Sequence, residues 1–293
     1  MSAASAAQEA GARLQAGEFR ASREAALAGL EQEPENVELL VLAGRAGVEL
    51  DEQDATDELR RATELAPENA DAWHYLGEAL AADGRMDEAG DAFRRAVELN
   101  PADQVALSHL GHTSAATGNQ QEAVGYLSQA AQSMGRASTA SISLVDMYRT
   151  LGQNQEALAQ ARMIAEAEPE DVLAALDVAE LSLAVGELDE AVAAFARLRE
   201  LDEVPGHETY PLHGMIKAEL AREDTQRALE LAREAHAADA QGRSVGILAF
   251  LDPQPEQETP TREQVDAALD ASLSEYRRMH ADDRRLSSED ILG

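Results

Sequence analysis

The sequence contains no cysteine in its 293 residues. Disulfides, thiolate nucleophiles, iron–sulfur clusters and cysteine-type zinc sites are therefore excluded. Positive charge is scarce as well. Lys217 is the only lysine, and 24 Lys+Arg stand against 56 Asp+Glu, a formal net charge of −32 at pH 7. Both phosphate backbones and anionic membranes are held by clustered cations, so neither nucleic acid nor a membrane is an expected partner. Aromatics make up only 3% of the chain, so a core has to be built from Ala and Leu, which the 44% apolar content permits. No apolar run approaches the roughly 18 residues of a membrane-spanning helix. The opening MSAASAAQEAGARLQAGEF has neither a basic start nor a continuous apolar stretch. No secretory leader is expected from it, and the reading is a cytoplasmic chain. An acidic, arginine-biased composition fits a protein kept soluble in concentrated salt, and equally a GC-rich genome; composition does not separate the two.

What the chain does have is a repeat. In the stretch from Trp73 to Pro101, Trp73, Leu76, Gly77, Leu80, Ala89, Phe93, Ala96 and Pro101 mark two short amphipathic helices and the break after them. The same residue types return 34 residues on, at Leu107, Leu110, Gly111, Ala123, Leu127 and Ala130. They return again at Leu144, Tyr148, Ala157, Ala161, Ile164 and Pro169, and at Val178, Ala179, Ala191, Phe195 and Leu198. Upstream, Leu39, Leu42, Ala43, Ala55, Leu59, Ala62 and Pro67 keep the frame. Gly84, Gly118, Gly152 and Gly186 recur at the same step, where the first helix of each pair must end. Weaker copies flank these, one around Gly17, Phe19, Ser22, Ala26, Gly29 and Pro34. The other follows a three-residue slip at 206–208 and contains Leu212, Met215, Ala228, Leu231 and Ala235, with no inter-helix glycine.

This pattern resembles the tetratricopeptide repeat (TPR) family, with Leu80 where Tyr is usual. The resemblance implies an all-α, right-handed superhelical solenoid of about seven helix-turn-helix repeats over residues 3–242. Each hairpin buries its apolar face only by stacking on its neighbours. Beyond it, residues 243–251 read as a capping segment and 252–260 as a Pro-rich linker. Residues 261–285 read as a terminal amphipathic helix opened by Thr261 and Gln264, and 286–293 as a flexible tail. Val265, Leu269, Leu273 and Tyr276, with His280 or Met279, form a narrow apolar stripe. Arg277, Arg278, Arg284 and Arg285 crowd basic charge at its end. Such a helix can cap the stack, fold back onto an acidic face, or pack against a second copy.

Sites of chemistry are missing from the sequence. There is no Walker loop, dinucleotide-binding glycine fingerprint, His-Glu-x-x-His or Gly-x-Ser-x-Gly, and the acidic stretch 51–57 lacks the glycine and final Glu of a calcium loop. No enzyme and no cofactor are expected. The resemblance instead places a partner-binding groove on the first helix of each repeat: Leu40 and Val41, then Asp71, His74, Tyr75 and Glu78, then Val105, His109 and His112. Ile142, Asp146 and Arg149 follow, then Leu176, Asp177 and Glu180, and finally Tyr210, His213 and Lys217. Trp73, Phe93 and Phe195 read as packing residues, whereas Tyr75 and Tyr210 point into the groove. TPR domains that clamp a chaperone's acidic tail use Lys, Arg and Asn on this wall. Here it is lined with carboxylates, so the expected partner is a basic or neutral segment of another protein. His74, Glu78, His109 and His112 have spacings able to gather a metal ion, but no strict motif assigns one. The expected function is a scaffold or adaptor. The alternatives are a homo-oligomeric assembly protein joined through 261–285, or an accessory subunit of an enzyme complex.

Overall fold

A computed structural model of the chain describes residues 2–52, 54–202, 204, 207–239, 242–254 and 259–281. Among these residues there are sixteen helices and no strand. They fall into two compact units, one reaching Gly135 and the other starting at Arg136. The first unit is four helical hairpins: α1 (Ala3–Gln15) with α2 (Phe19–Leu30), α3 (Val37–Glu49) with α4 (Ala55–Leu65), α5 (Ala70–Ala82) with α6 (Met86–Leu99), and α7 (Gln104–Ala116) with α8 (Gln120–Met134). The second contains three: α9 (Thr139–Thr150) with α10 (Asn154–Ala167), α11 (Val172–Val185) with α12 (Leu188–Leu201), and α13 (Thr209–Ala221) with α14 (Thr225–Ala238). Two further helices follow, α15 (Val245–Leu251) and α16 (Arg262–Ala281). The fold is an all-α repeat solenoid with the seven hairpins that the spacing predicts. No helix among the described residues is long and apolar enough to cross a membrane.

Short sequence signals set where each helix starts and stops. Pro34, Pro67, Pro101 and Pro169 are each followed two residues later by Asn36, Asn69, Asp103 or Asp171. Those side chains accept backbone N–H groups at the starts of α3, α5, α7 and α11, for example Leu39 N–H on Asn36 at 3.2 Å and Ala106 N–H on Asp103 at 2.9 Å. Thr261 and Gln264 exchange the reciprocal bonds of a capping box at the start of α16, at 2.7 and 3.3 Å.

At the far end of the first helices, Gly84, Gly118, Gly152 and Gly186 all adopt positive φ, between 70° and 86°. The last hairpin lacks this glycine, and Glu223 takes the left-handed conformation instead, with φ of 63°. A side chain there costs roughly 1–2 kcal/mol, while glycine adds about 0.5–1 kcal/mol of unfolded-state entropy. Glu223→Gly is therefore expected to stabilise the second unit by about 0.5–1 kcal/mol, read from its denaturation midpoint.

Close approach within a hairpin fixes a second set of glycines. A Cβ on Gly77 would lie 2.7 Å from the ring of Phe93, which is fully buried between α5 and α6. Gly125 on α8 has nothing within 4 Å. Alanine is the better helix former by about 1 kcal/mol at both positions, but overpacking costs about 1–3 kcal/mol. Equilibrium unfolding should thus show opposite signs, Gly77→Ala destabilising and Gly125→Ala stabilising.

Candidate functional site

In the first unit the wall is built by α3, α5 and α7. Val41 on α3 is half-buried and Arg45, one turn on, is exposed, with its guanidinium 4.8 Å from the centre of the Tyr75 ring on α5. Asp71 is exposed, and Tyr75 is half-buried with its hydroxyl pKa raised, chiefly by burial. Val105 on α7 is exposed and His112 is half-buried. Burial lowers the His112 pKa. Leu40 is not a groove residue. It is buried with Ala62 and Ala72 between α3 and the next hairpin, because its side chain points along the stacking direction.

His74, Glu78 and His109 come together beneath this surface, and all three are buried. His74 and Glu78 are one helical turn apart on α5, with Nε2 to Oε1 at 2.9 Å. The other ring nitrogen, Nδ1, meets Asp103 Oδ2 at 3.1 Å. His109 Nδ1 lies 3.8 Å from Glu78 Oε1. Burial on its own would lower the His74 pKa, but its hydrogen bonds to Asp103 and Glu78 outweigh it and push it up to about 9. His74 is therefore an imidazolium at pH 7, held between two carboxylates. Burial raises the Glu78 carboxyl above its usual range despite the lowering effect of His74. For Asp103, bonds from His74 and from the Ala106 and Val105 backbone overcome burial, and the pKa is lowered.

In the second unit the corresponding wall is already covered. Ile142 on α9 is half-buried and Asp146 is exposed. From there on, α16 packs on α11, α13 and α15, and four residues of its stripe, Val265, Leu269, Leu273 and Tyr276, are buried. His280 completes the stripe, and Met279 faces outward.

Six expected groove residues of this unit are corrected by its packing. Tyr210 is 1% exposed because its ring stacks on Tyr276 at 5.0 Å. His213 is 0% exposed, enclosed between Ser272 of α16 and Ser244. Lys217 is half-buried and pairs with Asp270 of α16. Asp177 and Glu180 hold Arg277 of α16 at 2.9 and 2.7 Å and also Arg149 at 3.3 and 3.0 Å. Leu176 is fully buried in the core beside Phe195. The apolar stripe on which self-association was to rest is thus consumed within its own unit. Arg284, Arg285, the centre of the linker at 255–258 and the tail 286–293 lie outside the described residues, as does Gly206 of the slip.

Several organising residues escaped the sequence reading. Asp103 both caps α7 and orients His74; the Pro-x-Asp spelling marks its capping role, but nothing in it announces the second. Asp202 is a hub whose Oδ2 accepts from Tyr276 Oη at 2.6 Å and meets His207 Nδ1 at 2.8 Å and His280 Nε2 at 3.2 Å. Arg23 is buried, donates to the Ala43 carbonyl at 2.6 Å, and pairs with Glu58 at 2.8 Å and with Asp54. It stands at a small-residue position of an Ala/Gly-rich helix and carries no signal of burial.

Stacked helical hairpins of 34-residue period, with a polar wall on the first helices, define a class of repeat scaffolds. The family model described as a tetratricopeptide repeat matches residues 51–104 and 142–207. Those two segments are similar to the tetratricopeptide repeat family. Among solved structures it is similar to the C-terminal part of a TPR repeat-containing protein from Cytophaga hutchinsonii, at 14% identity and a TM-score of 0.65, covering 82% of this chain and 98% of that one. It is also similar to YrrB, described as a TPR protein with an unusual peptide-binding site, at 21% identity and a TM-score of 0.54, covering 64% and 96%. PilF of Pseudomonas aeruginosa matches at 18% identity and a TM-score of 0.56, covering 68% and 91%. No curated protein matches the sequence.

Proposed function

We propose that the chain is a non-enzymatic protein-interaction scaffold whose first unit binds a basic segment of a partner protein across α3, α5 and α7. The observation that carries this reading is a cavity of about 270 Å³ on that wall, lined by Glu49, Asp71, His74, Tyr75, Glu78 and Val105 among others. It offers an aliphatic contact, an aromatic ring and several carboxylates within one opening, in a chain of net charge −32. The second unit supplies a physical precedent. Its own wall takes up an amphipathic helix by burying an aliphatic stripe and seating Arg277 on Asp177 and Glu180. Peptide binding is also what the description of YrrB gives for that relative of the same fold.

Selection of a random-peptide display library on the full chain tests the reading. Binders enriched in Lys and Arg are expected, with affinity that falls as salt rises. Glu49→Arg combined with Asp71→Arg should weaken them by about tenfold or more, the equivalent of ~1.4 kcal/mol. Enrichment of acidic peptides, or a salt-independent affinity, would contradict it.

A further inference from the structure

We infer that His74, Glu78 and His109 form a binding site for one divalent ion of the zinc class. The inference goes beyond the proposed peptide wall and is tested without any peptide. One ligand atom from each residue gives a set that lies within 4.8 Å of one another, and all three residues are buried. Two imidazoles and one carboxylate are a donor set that Zn²⁺ accepts, leaving one coordination position for water. A tetrahedral site with ligand bonds near 2.0–2.1 Å places its donor atoms about 3.3 Å apart. His74 Nε2 and Glu78 Oε1 stand at 2.9 Å and His109 Nδ1 and the same oxygen at 3.8 Å, each about half an ångström from that spacing, and all the ligand atoms lie within 4.8 Å of one another.

The surroundings are those that a metal-binding histidine needs. Asp103 takes the Nδ1–H of His74, which leaves Nε2 as the nitrogen aimed at Glu78. Asp103 is itself immobilised, because its other oxygen accepts the Ala106 N–H that starts α7. Phe93 lies edge-on to His74, and its ring centre is 5.0 Å from that of His109, so both imidazoles are held by a rigid apolar floor. Binding exchanges one proton for one ion: the Nε2–H now donated to Glu78 leaves to solvent, and the ion bridges the same two atoms. His112 takes no part. The second histidine–carboxylate group, Asp202 with His207 and His280, differs because Tyr276 donates to the shared carboxylate oxygen and closes it.

The test uses Co²⁺, whose visible spectrum reports coordination number, added to the EDTA-treated full chain. One Co²⁺ per chain is expected to bind at micromolar or lower concentration, with the intense visible bands of a four-coordinate ion, and equimolar Zn²⁺ should displace it. His109→Gln and Glu78→Gln should each abolish those bands and weaken binding at least tenfold, whereas His280→Gln should leave both unchanged. If Glu78→Gln does not fold by circular dichroism, His109→Gln alone decides. Spectra of six-coordinate type only, as surface carboxylates give, would overturn the assignment. So would bands that survive His109→Gln, or binding lost in His280→Gln.

Discussion

Leu269→Ala is expected to lower the stability of the second unit by about 2–5 kcal/mol, the range for emptying a fully buried leucine site. Leu269 is 0% exposed and sits in the middle of the α16 stripe, in one apolar cluster with Leu212, Ile216, Leu231 and Ile247. Ending the chain at Pro260 is the limiting case. It uncovers Tyr210 and His213 and takes Arg277 away from Asp177 and Glu180, which also pair with Arg149. The apolar loss alone, four buried side chains at roughly 1.5–3 kcal/mol each, rivals the whole stability of an ordinary domain. The ordering entropy of a twenty-residue helix offsets part of that sum, so the net cost is smaller than the gross one. Hydrogen exchange is the measurement, because it resolves segments. Amides of α13 and α15 should lose protection in Leu269→Ala and lose most of it in the truncation. A synthetic peptide of residues 261–281 added to the truncated chain should restore part of it. Unchanged protection in both variants would mean that α16 lies on the wall without holding it together.

The parts of this molecule that repeat were the parts legible in its sequence. Period and helix boundaries are local properties copied seven times, and the left-handed glycine recurs in most of the hairpins, so each copy supports the reading of the others. The wall was harder. Register alone places His74, Tyr75 and Glu78 on one side of α5, and that much is correct. Register does not tell a half-open position such as Tyr75 from a sealed one such as Tyr210. The difference comes from α16, which returns to α13 from more than fifty residues away in sequence, as the His213 to Ser272 bond records. Three destinations for that helix satisfied the same amphipathic pattern. The deciding interactions, Arg277 on Asp177 and Glu180, and Tyr276 on Asp202, are long-range and carry no period. The polar hubs at Arg23, Asp103 and Asp202 were missed for a related reason. Each occurs once, and buried polar groups are specified by partners in three dimensions rather than by spacing.

The covered wall also changes how charge works in the two units. Both walls are rich in carboxylates, and both carry cations that come from within the chain. In the second unit these are Arg149, Lys217 and Arg277, of which Arg277 is carried by the returning helix and Lys217 pairs with it. In the first unit they are Arg45, exposed above Tyr75, and the imidazolium of His74, which sits below the surface. Exposed carboxylates such as Glu49 and Asp71 therefore dominate the field at that wall, which is the ground for proposing a basic partner.

Acid is expected to loosen α16 through His213. Burial, the largest effect, lowers the pKa of this imidazole to about 4; Asp239 raises it and Arg243 lowers it further. The neutral ring meets Ser272 Oγ through Nδ1 at 2.7 Å and Ser244 Oγ through Nε2 at 2.9 Å, one nitrogen donating and the other accepting. Protonation forces both nitrogens to donate. Serine hydroxyls can rotate to accept, so the hydrogen bonds survive and the cost is that of a buried charge. In the unfolded chain the same histidine titrates near its ordinary 6.5, so as pH falls the unfolded state takes up the proton first. The stability contribution is complete above pH 6.5 and is lost progressively as pH falls toward 4. The fall from 6.5 to about 4 sets the full loss at ~3 kcal/mol. Carboxylates also titrate at the lower end of this window, so the comparison is with His213→Gln, whose amide can donate to one serine and accept from the other. Between pH 7 and 4.5 the wild-type chain should lose about 2–3 kcal/mol more than the variant in denaturant titrations, with the excess loss of exchange protection concentrated in α13, α15 and α16. Equal pH slopes in the two proteins would show that His213 is not the group through which acid reaches the returning helix.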